Sequence, residues 1–391
     1  MTSGPKIIVV GSGIFGATAA RTLNQRGAQV RLLDAGPIPH PEASSTDISK
    51  LIRMDYGNDV FYAELMERAL EGWRVWNKQF DRPLFHEVGA LMLTKHPMQT
   101  GQFEADSFKV LKSRGHQLKR LNSTIVASEF PNWNANIYVD GYCNPQSGWA
   151  ESGAVTQAVV SWAEAEGVEV LPNCKFESFI EKNGRVIGLR LEDGTELHAD
   201  HLVLSAGAWT PFILPELSDE LSVVGQPVIH FVPSDVSLFR PPGFLPWAAD
   251  IANTGWYGFP VNAQGILKIA NHGPGISLNP NTDSKSLYEA AEDQARAFFA
   301  ESIPKAAELP FAGGRLCMYC DSFDGDFFID HHPQRPGLFV ATGGSGHGFK
   351  FAPMLGDIIA DVLLGKPNPW ASRFAWRKRT STKVEQARFS G

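Results

Sequence analysis

The stretch from Lys6 to Asp34 constrains the fold of this 391-residue chain more than any other. Residues 7–10 form a short, β-branched, unbroken apolar run, which is typical of a strand buried on both faces. Glycines at G-x-G-x-x-G spacing follow, then a helical segment at residues 17–26 and a second strand that ends at Asp34. This order of strand, glycine loop, helix and strand predicts a Rossmann-type unit that binds a dinucleotide.

Each part of this stretch has a physical role in holding a dinucleotide. The first glycine permits a tight turn, the second lets backbone N–H groups approach a pyrophosphate, and the third lets helix and strand pack closely. The helix N-terminus faces the phosphates with its partial positive charge, and a carboxylate after the second strand can hold a ribose hydroxyl. This motif by itself does not distinguish FAD from NAD. The predicted cofactor contacts here are Gly11, Ser12, Gly13, Ile14, Phe15, Gly16 and Asp34.

A second glycine-rich junction lies near the other end of the chain. Residues 337–342 predict a strand, residues 343–348 a glycine loop, and residues 352–364 a helix. A further buried strand, residues 201–209, contains the small residues Ala206 and Gly207, which we expect close to the nucleotide. Two such junctions indicate one ligand held from both sides, which favours FAD because its flavin end must be held as well as its adenosine end.

The length predicts two domains, because a single core rarely grows to this size. Strand patterns and hairpin turns between the glycine junctions indicate antiparallel sheet, and residues 284–301 predict a helix. The expected fold class is α/β, with a discontinuous Rossmann-type FAD-binding domain and an antiparallel-sheet α+β substrate domain. We expect the FAD-binding domain at residues 1–85, 145–220 and 321–391, and the substrate domain at residues 86–144 and 221–320.

Composition narrows the class of partner and the compartment. A net charge of −7 argues against nucleic acid or an anionic membrane as the main partner. The sequence has no run of 18 apolar residues that would span a membrane, and its start leaves no room for a cleavable signal. Four cysteines in so long a chain do not make a disulfide framework. We therefore expect a cytoplasmic protein, since the C-terminus also lacks a peroxisomal Ser-Lys-Leu signal.

Cys317 and Cys320 form a C-x-x-C pair, which has three interpretations. A zinc site would need two more ligands, and Cys143 and Cys174 are single and distant. A thiol redox pair would normally open a helix of a thioredoxin-like unit, and no such unit is visible. Simple burial of one or both thiols is the third interpretation. We expect no metal site.

Several motifs occur in one order along the chain: the first glycine loop with Asp34, KLIR at residues 50–53, GILK at 265–268 followed by His272, RLCMY at 315–319, and GSGHGFKF at 344–351. Together they resemble the monomeric sarcosine oxidase family of flavoprotein amine oxidases. That family also holds fructosyl amino acid oxidases (amadoriases), pipecolate oxidases and N-methyltryptophan oxidase. The resemblance covers essentially the whole chain.

The resemblance implies a role for residues in each motif. Cys317 matches the cysteine that is covalently attached to the 8α-methyl of the flavin, and Lys268 the lysine that activates dioxygen through a water near the flavin N5. Arg53 and Lys350 match the pair that holds a substrate carboxylate. The implied catalytic residues are Lys268, His272 and Tyr319; the implied substrate-binding residues are Lys50, Arg53, Tyr257 and Lys350; the further cofactor contacts are Ser45, Ala206, Gly207, Cys317, Gly344, Gly346, His347, Gly348 and Lys350.

One departure from the pattern bears on the substrate. Lys50 stands where simple sarcosine oxidases carry an arginine, and residues 46–50 are more similar to the fungal amadoriase branch. This favours an N-substituted amino acid larger than sarcosine.

The resemblance implies a monomeric FAD-dependent oxidase of secondary amines of amino acids, whether N-alkyl, cyclic or fructosyl. Such an enzyme oxidises the C–N bond to an imine that hydrolyses, and reduces dioxygen to hydrogen peroxide. The alternatives are a dehydrogenase with another acceptor and a biosynthetic flavin enzyme that acts on a cyclic or non-acidic amine.

Overall fold

The computed structural model describes residues 4–379 and 386–389. Ser390 and Gly391, on which the expectation about a targeting signal rests, lie outside the described residues, as do both ends of the predicted FAD-binding domain.

Helices and strands alternate in the first part of the chain, and strands dominate the middle. In the described residues the α-helices are α1 (Ile14–Gln25), α2 (Val60–Asn77), α3 (Phe103–Ser113), α4 (Ser123–Glu129), α5 (Ser152–Ala165), α6 (Thr210–Ile213), α7 (Ile251–Thr254), α8 (Ala291–Ser302) and α9 (Ala352–Leu363). The strands are β1 (Lys6–Val10), β2 (Gln29–Leu33), β3 (Lys50–Ile52), β4 (Phe85–His86), β5 (Ala90–Thr94), β6 (Lys119–Asn122), β7 (Asp140–Asn144), β8 (Gly148–Ala150), β9 (Glu169–Leu171), β10 (Phe176–Lys182), β11 (Arg185–Leu191), β12 (Glu196–His198), β13 (His201–Leu204), β14 (Leu221–Phe231), β15 (Trp247–Ala249), β16 (Trp256–Phe259), β17 (Leu267–Asn271), β18 (Ile276–Ser277), β19 (Phe311–Ser322), β20 (Phe328–His331) and β21 (Leu338–Thr342).

The first sheet has the strand order β20-β21-β13-β1-β2-β9 and is parallel except at its β20 edge. Its central strand β1 is buried on both faces, because Ile7 and Val9 join one hydrophobic core while Ile8 and Val10 join another. Helix α1 packs against α9 and α5 on one side of this sheet. Burial on both faces explains the unbroken apolar run, and the carboxyl ends of these strands form the edge at which ligands bind in such sheets.

A second, larger sheet has the order β18-β14-β17-β16-β15-β5-β7-β6, and β19 also pairs with β14. Apart from the parallel β15–β5 pair, its neighbours are antiparallel. Its core contains several of the largest fully buried side chains, including Trp247, Phe231 and Phe299. None of the helices in the described residues has the length and apolar character needed to cross a bilayer.

Two small antiparallel sheets complete the structure: β3-β8-β4 and β10-β11-β12. The hairpin between β10 and β11 turns at Asn183 and Gly184, both at positive φ as predicted for such a turn. Strand β3 carries Lys50, and Arg53 follows it directly. The small sheet of β3 therefore positions two of the predicted substrate-binding residues.

The predicted fold class is confirmed, whereas two element boundaries are wrong. The helix predicted at residues 284–301 begins only at Ala291, because the backbone of Lys285 accepts a hydrogen bond from Leu316 N (2.7 Å), which ties this segment to β19. The strand predicted at residues 201–209 ends at Leu204, and the chain then turns through Gly207 at φ +51°. The division into two domains at the stated residues stays a prediction.

Candidate active site

A cavity of about 730 Å³ lies between the two glycine junctions. Its walls come from the loop after β1, the loop after β13, the loop after β21, and β19. This volume falls within the range of about 300–1,000 Å³ that is usual for ligand and cofactor sites. The position at the carboxyl ends of parallel strands agrees with the site expected for a dinucleotide.

The first glycine junction can hold only glycine at two positions. Gly11 has φ +99°, and a Cβ on Gly16 would lie 1.8 Å from the carbonyl oxygen of Gly11. Gly11, Gly13 and Ile14 border the cavity where α1 begins. Since helix N-termini attract anions, this edge suits a pyrophosphate.

Asp34 lies at the end of the cavity nearest the first junction. Its carboxylate accepts hydrogen bonds from Ser12 N (2.8 Å) and Ser12 Oγ (2.7 Å), and the side chain borders the cavity. Ser45 Oγ accepts a hydrogen bond from Ile14 N (3.0 Å) and so links the segment before β3 to the start of α1. Ser12 therefore fixes the acid in place where a ribose hydroxyl would bind.

The second glycine junction packs against the first junction and against β19. Ser345 N donates to Cys320 O (3.0 Å), and a Cβ on Gly346 would lie 2.3 Å from the ring of Tyr319. A Cβ on Gly348 would lie 2.9 Å from the ring of Phe15. Only glycine therefore fits at these two positions of the loop, each of which lies against an aromatic ring.

These small residues, backbone donors and fixed carboxylate fit a dinucleotide such as FAD. Most of the predicted cofactor residues border the cavity, and five do not: Ser12, Gly16, Cys317, His347 and Lys350. Ser12 instead holds the Asp34 carboxylate by two hydrogen bonds, and Gly16 packs closely against the carbonyl oxygen of Gly11. His347 and Lys350 border a second cavity instead.

The cysteine pair lies on β19, where residues three apart point to opposite faces of the strand. Cys317 is buried beside Lys50, with Sγ 3.5 Å from Nζ. Cys320 belongs to the core of the first sheet, and burial raises the pKa of its thiol to about 12. The two thiols therefore do not form one redox pair or one half of a zinc site, and the described residues contain no cluster that could hold a metal ion.

The second cavity, of about 50 Å³, adjoins the first. Lys50, Tyr319, Gly346 and Phe349 border both cavities, so the two share a wall. The residues around the smaller cavity are Lys50, Leu51, Arg53, Ile251, Tyr257, His272, Tyr319, Gly346, His347, Phe349 and Lys350. All four predicted substrate-binding residues are among them, with two of the three predicted catalytic residues.

Arg53 and Lys350 bring two positive charges to the smaller cavity. The Arg53 guanidinium donates to the backbone oxygen of Asp55 and lies 5.3 Å from the ring centre of Tyr56. Lys350 Nζ lies 4.7 Å from the centre of the same ring. The negative face of the Tyr56 ring thus stabilises both cations.

His347 holds Tyr56 in this position. His347 Nε2 lies 2.9 Å from Gly325 O, so this nitrogen donates and Nδ1 accepts from the Tyr56 hydroxyl at 3.0 Å. The histidine predicted as a cofactor contact therefore supports the ring that both cations contact.

Lys268 borders neither cavity, and its side chain is 1% exposed. Its ammonium pairs with the Asp47 carboxylate and donates to Ser49 O at 2.6 Å. Burial lowers the pKa of Lys268 to about 8 despite the opposing charge of Asp47. The ammonium lies outside both cavities. Lys50, which borders both cavities, lies 3.5 Å from the same Asp47 carboxylate.

Asp47 and Lys50 are also charged at neutral pH. Burial opposes ionisation of Asp47, but the positive charges of Lys268, Lys50 and Arg315 outweigh it and hold the pKa of the carboxyl well below its usual range. Burial likewise opposes the charge on Lys50, while Cys317 and Asp47 raise the pKa of its ammonium.

Tyr257 and Tyr319 both border the smaller cavity, and their hydroxyl oxygens lie within hydrogen-bond distance at 3.4 Å. Burial raises the pKa of both phenols, so both are neutral near pH 7. The His272 ring lies 5.9 Å from the Tyr319 ring, centre to centre. These groups can orient a substrate by hydrogen bonding and shape.

Sequence reasoning missed Asp47, Tyr56 and the described C-terminal residues. Phe389 N donates to His272 O (3.1 Å), and Arg388 pairs with Asp321 at 2.6 Å, so these residues lie beside the smaller cavity. The only available signal for Asp47 was its place two residues after Ser45 in the motif region. The other residues carry no local signal.

A parallel sheet with two glycine junctions around one large cavity, next to a smaller cationic cavity, defines a flavin-dependent oxidoreductase. A family model described as DAO, FAD dependent oxidoreductase, matches residues 6–362, and the chain belongs to this family. It is 29% identical to monomeric sarcosine oxidase of a Bacillus species over 92% of both chains, and 30% identical to N-methyl-L-tryptophan oxidase of Salmonella arizonae over 92% of this chain and 95% of that one. Fructosyl amine: oxygen oxidoreductase (amadoriase I) of Aspergillus fumigatus superposes with a TM-score of 0.83 at 25% identity, over 100% of this chain and 94% of that one. The expected family and the use of FAD are thereby confirmed.

Proposed function

We propose that this enzyme oxidises the secondary amine of an N-alkyl, cyclic or fructosyl amino acid and passes the electrons to dioxygen. The observation that carries this proposal is the joint position of Arg53 and Lys350 at a small cavity that shares a wall with the larger, dinucleotide-shaped cavity. A substrate held there by its carboxylate has its amine close to that shared wall. The relatives named for sarcosine, N-methyltryptophan and fructosyl amine support an amine of this kind.

The carboxylate contact decides between amino acids and plain amines. An Arg offers two parallel donors to a carboxylate, and a Lys adds a compact charge. No carboxylate occurs among the described residues that border the smaller cavity. The anion of the substrate therefore meets two cations of the cavity wall there.

The reaction balances as two coupled redox steps. The substrate loses two electrons and two protons as its C–N bond becomes an imine, which water then hydrolyses. When bound, FAD supplies a two-electron acceptor for this step. Dioxygen takes up the two electrons and two protons and becomes hydrogen peroxide. Lys268 borders neither cavity, so in this proposal its ammonium stabilises negative charge on dioxygen from behind the cavity wall, in a site from which bulk water is excluded.

The neutral phenols of Tyr257 and Tyr319 orient the substrate together with His272. Because burial raises the pKa of both phenols, neither serves as a base near neutral pH. In this proposal the amine enters in its neutral form, and no side chain of the pocket must remove a C–H proton.

Cys317 is the proposed point of covalent attachment of the cofactor. Its sulfur is buried on β19 beside the Lys50 ammonium, next to Met318, which borders the larger cavity.

The substrate is proposed to be larger than sarcosine, because residues 46–50 resemble the fungal amadoriase branch. We also propose that the enzyme is a cytoplasmic monomer with the two-domain division predicted above.

A peroxide-coupled screen tests the function. Purified enzyme is offered N-methyl, cyclic and fructosyl amino acids, each beside its decarboxylated analogue. We expect peroxide from at least one amino acid and much less from its analogue. Peroxide from the decarboxylated amines alone would overturn the proposal in favour of a non-acidic amine oxidase, and substrate oxidation without peroxide would indicate a dehydrogenase.

A further inference from the structure

The Asp47 carboxylate contacts two lysines: Lys50, which borders both cavities, and Lys268, which borders neither. One carboxylate oxygen, Oδ2, pairs with Lys268 and lies 3.5 Å from Lys50 Nζ. The Asp47 and Lys268 side chains are 2% and 1% exposed, while Lys50 is 14% exposed. A single buried carboxylate thus interacts with two ammonium groups, and Lys268 is the more deeply buried of the two lysines.

The backbone around Asp47 is fixed from several directions. The other carboxylate oxygen, Oδ1, accepts from Ile48 N at 2.7 Å. The Asp47 carbonyl oxygen accepts from Gly153 N (2.9 Å) and Ser152 Oγ (2.5 Å) at the start of α5. Helix α5 packs against α1, which begins at the first glycine junction. The position of the carboxylate is therefore set by the same framework that forms the larger cavity.

The titratable and charged groups around the Asp47–Lys268 pair come from each element packed around it. Besides Asp47 and Lys50 they are Cys317 and Arg315 on β19, His230 on β14 and Tyr257 on β16. The Phe259 ring centre lies 4.7 Å from Lys268 Nζ. In this set Asp47 is the acidic side chain that pairs with the ammonium.

We propose that Asp47 is a positioning residue that keeps Lys268 protonated and directs its ammonium, and thereby sets the pH range in which the enzyme reacts with dioxygen. This inference rests on the proposed role of Lys268. Without the carboxylate, two buried ammonium groups would face each other without an anion, and burial of an unpaired charge is costly. Lys268, as the more buried of the two, would then lose its proton first.

The test follows the titration of Lys268 directly. Lysine labelled at Cε is incorporated into the flavin-containing enzyme, and the Lys268 signal is assigned by its loss in Lys268→Met. Carbon NMR then gives the pKa of Lys268 in the parent, in Asp47→Asn and in Asp47→Glu. We expect Asp47→Asn to lower this pKa by at least about one unit, a tenfold change in the protonation equilibrium. Asp47→Glu, which keeps the charge, should restore most of the difference.

Two further variants control for indirect effects. Asp140→Asn removes a buried carboxylate that pairs with Arg120 and borders neither cavity, and it should leave the Lys268 titration unchanged. Asp47→Asn/Lys50→Met removes one anion and one cation together, so it keeps the charge balance if the single variant does not fold. The pKa of Lys268 should fall in this double variant as well.

Stopped-flow reoxidation by dioxygen separates this inference from the proposed function. We expect the reoxidation of Asp47→Asn to slow at pH 8 and to recover at lower pH, while flavin reduction by substrate changes little. An unchanged Lys268 titration in folded Asp47→Asn would overturn the positioning role. A lowered Lys268 pKa with unchanged reoxidation would instead overturn the oxygen-activating role of Lys268, and the positioning of its charge by Asp47 would stand.

Discussion

Four cations define the chemistry at the scale of single residues, and they form two pairs, one at a carboxylate and one at an aromatic ring. Lys268 pairs with Asp47 in the interior, whereas Lys50 lies between that carboxylate and the Cys317 sulfur. Arg53 and Lys350 share the face of the Tyr56 ring. Each pair of cations is therefore suited to a separate task, and substitutions should separate these tasks.

The reaction with dioxygen should depend on the protonation of Lys268. Burial lowers the pKa of this ammonium to about 8, so its charged fraction falls as the pH rises through that value. Reoxidation should accordingly be fastest below pH 8 and decline above it, and Lys268→Met should lose both the rate and this pH dependence. Stopped-flow absorbance measures reoxidation and reduction separately. The exposed Lys305→Met is the control, and equal slowing of both half-reactions in Lys268→Met would contradict the assignment.

Arg53→Ala should weaken substrates that carry a carboxylate. Each hydrogen bond to a charged group contributes about 1.5–3 kcal/mol, so the KM for such a substrate should rise about 10- to 150-fold. The KM for its decarboxylated analogue should change little. Arg31→Ala, at an exposed ion pair with Glu169, serves as the matched control. An equal effect of Arg53→Ala on both substrates would argue against a carboxylate contact.

Covalent attachment of the cofactor should depend on Cys317 and not on Cys320. Acid-precipitated parent enzyme and Cys320→Ser should keep their flavin colour in the pellet, whereas Cys317→Ser should release it. The reason is that the two thiols lie on opposite faces of β19 and Cys317 is the one beside a cation. Release of all the colour from the parent protein would rule out the bond.

At the scale of elements, the first strand–loop–helix unit holds the cofactor. Gly16→Ala would place a methyl group 1.8 Å from the Gly11 carbonyl oxygen, so α1 would have to move away from the end of β1. We expect a large loss of bound flavin per chain, measured by absorbance after purification. Gly243→Ala meets no atom within 4 Å and should retain the flavin content of the parent. Full flavin content in Gly16→Ala would contradict the assigned cofactor site.

The elements also show why some boundaries could be predicted and others could not. The unit from β1 to β2 is specified by adjacent residues, since β-branched residues, glycines and a helical run each act locally. The segment before α8 has a helical pattern, but the Lys285–Leu316 hydrogen bond holds it along β19 instead. Because Leu316 lies far from Lys285 in the sequence, this hydrogen bond leaves no local signal at residues 284–290.

For the whole molecule, the sequence was sufficient to predict the fold class, and most of the site residues that it predicted border one of the two cavities, because they occur in motifs. It was not sufficient for Asp47, whose partner Lys268 is 221 residues away. Asp47 stands in a polar, small-residue segment that resembles a solvated loop, and only folding brings β17 against it. Likewise, Ala387 is fully buried against residues that include Ile251, a contact that its sequence neighbours do not indicate.

The enzyme is proposed to accept two electrons from a secondary amino acid and to pass them on to dioxygen. The most direct measurement is the flavin absorbance of the purified enzyme, mixed without oxygen with the best substrate from the screen and then exposed to oxygen. We expect the flavin bands to bleach on mixing and to recover on exposure, with one hydrogen peroxide formed per substrate oxidised. Flavin that bleaches but recovers without peroxide, or that never bleaches with any secondary amino acid, would contradict the claim.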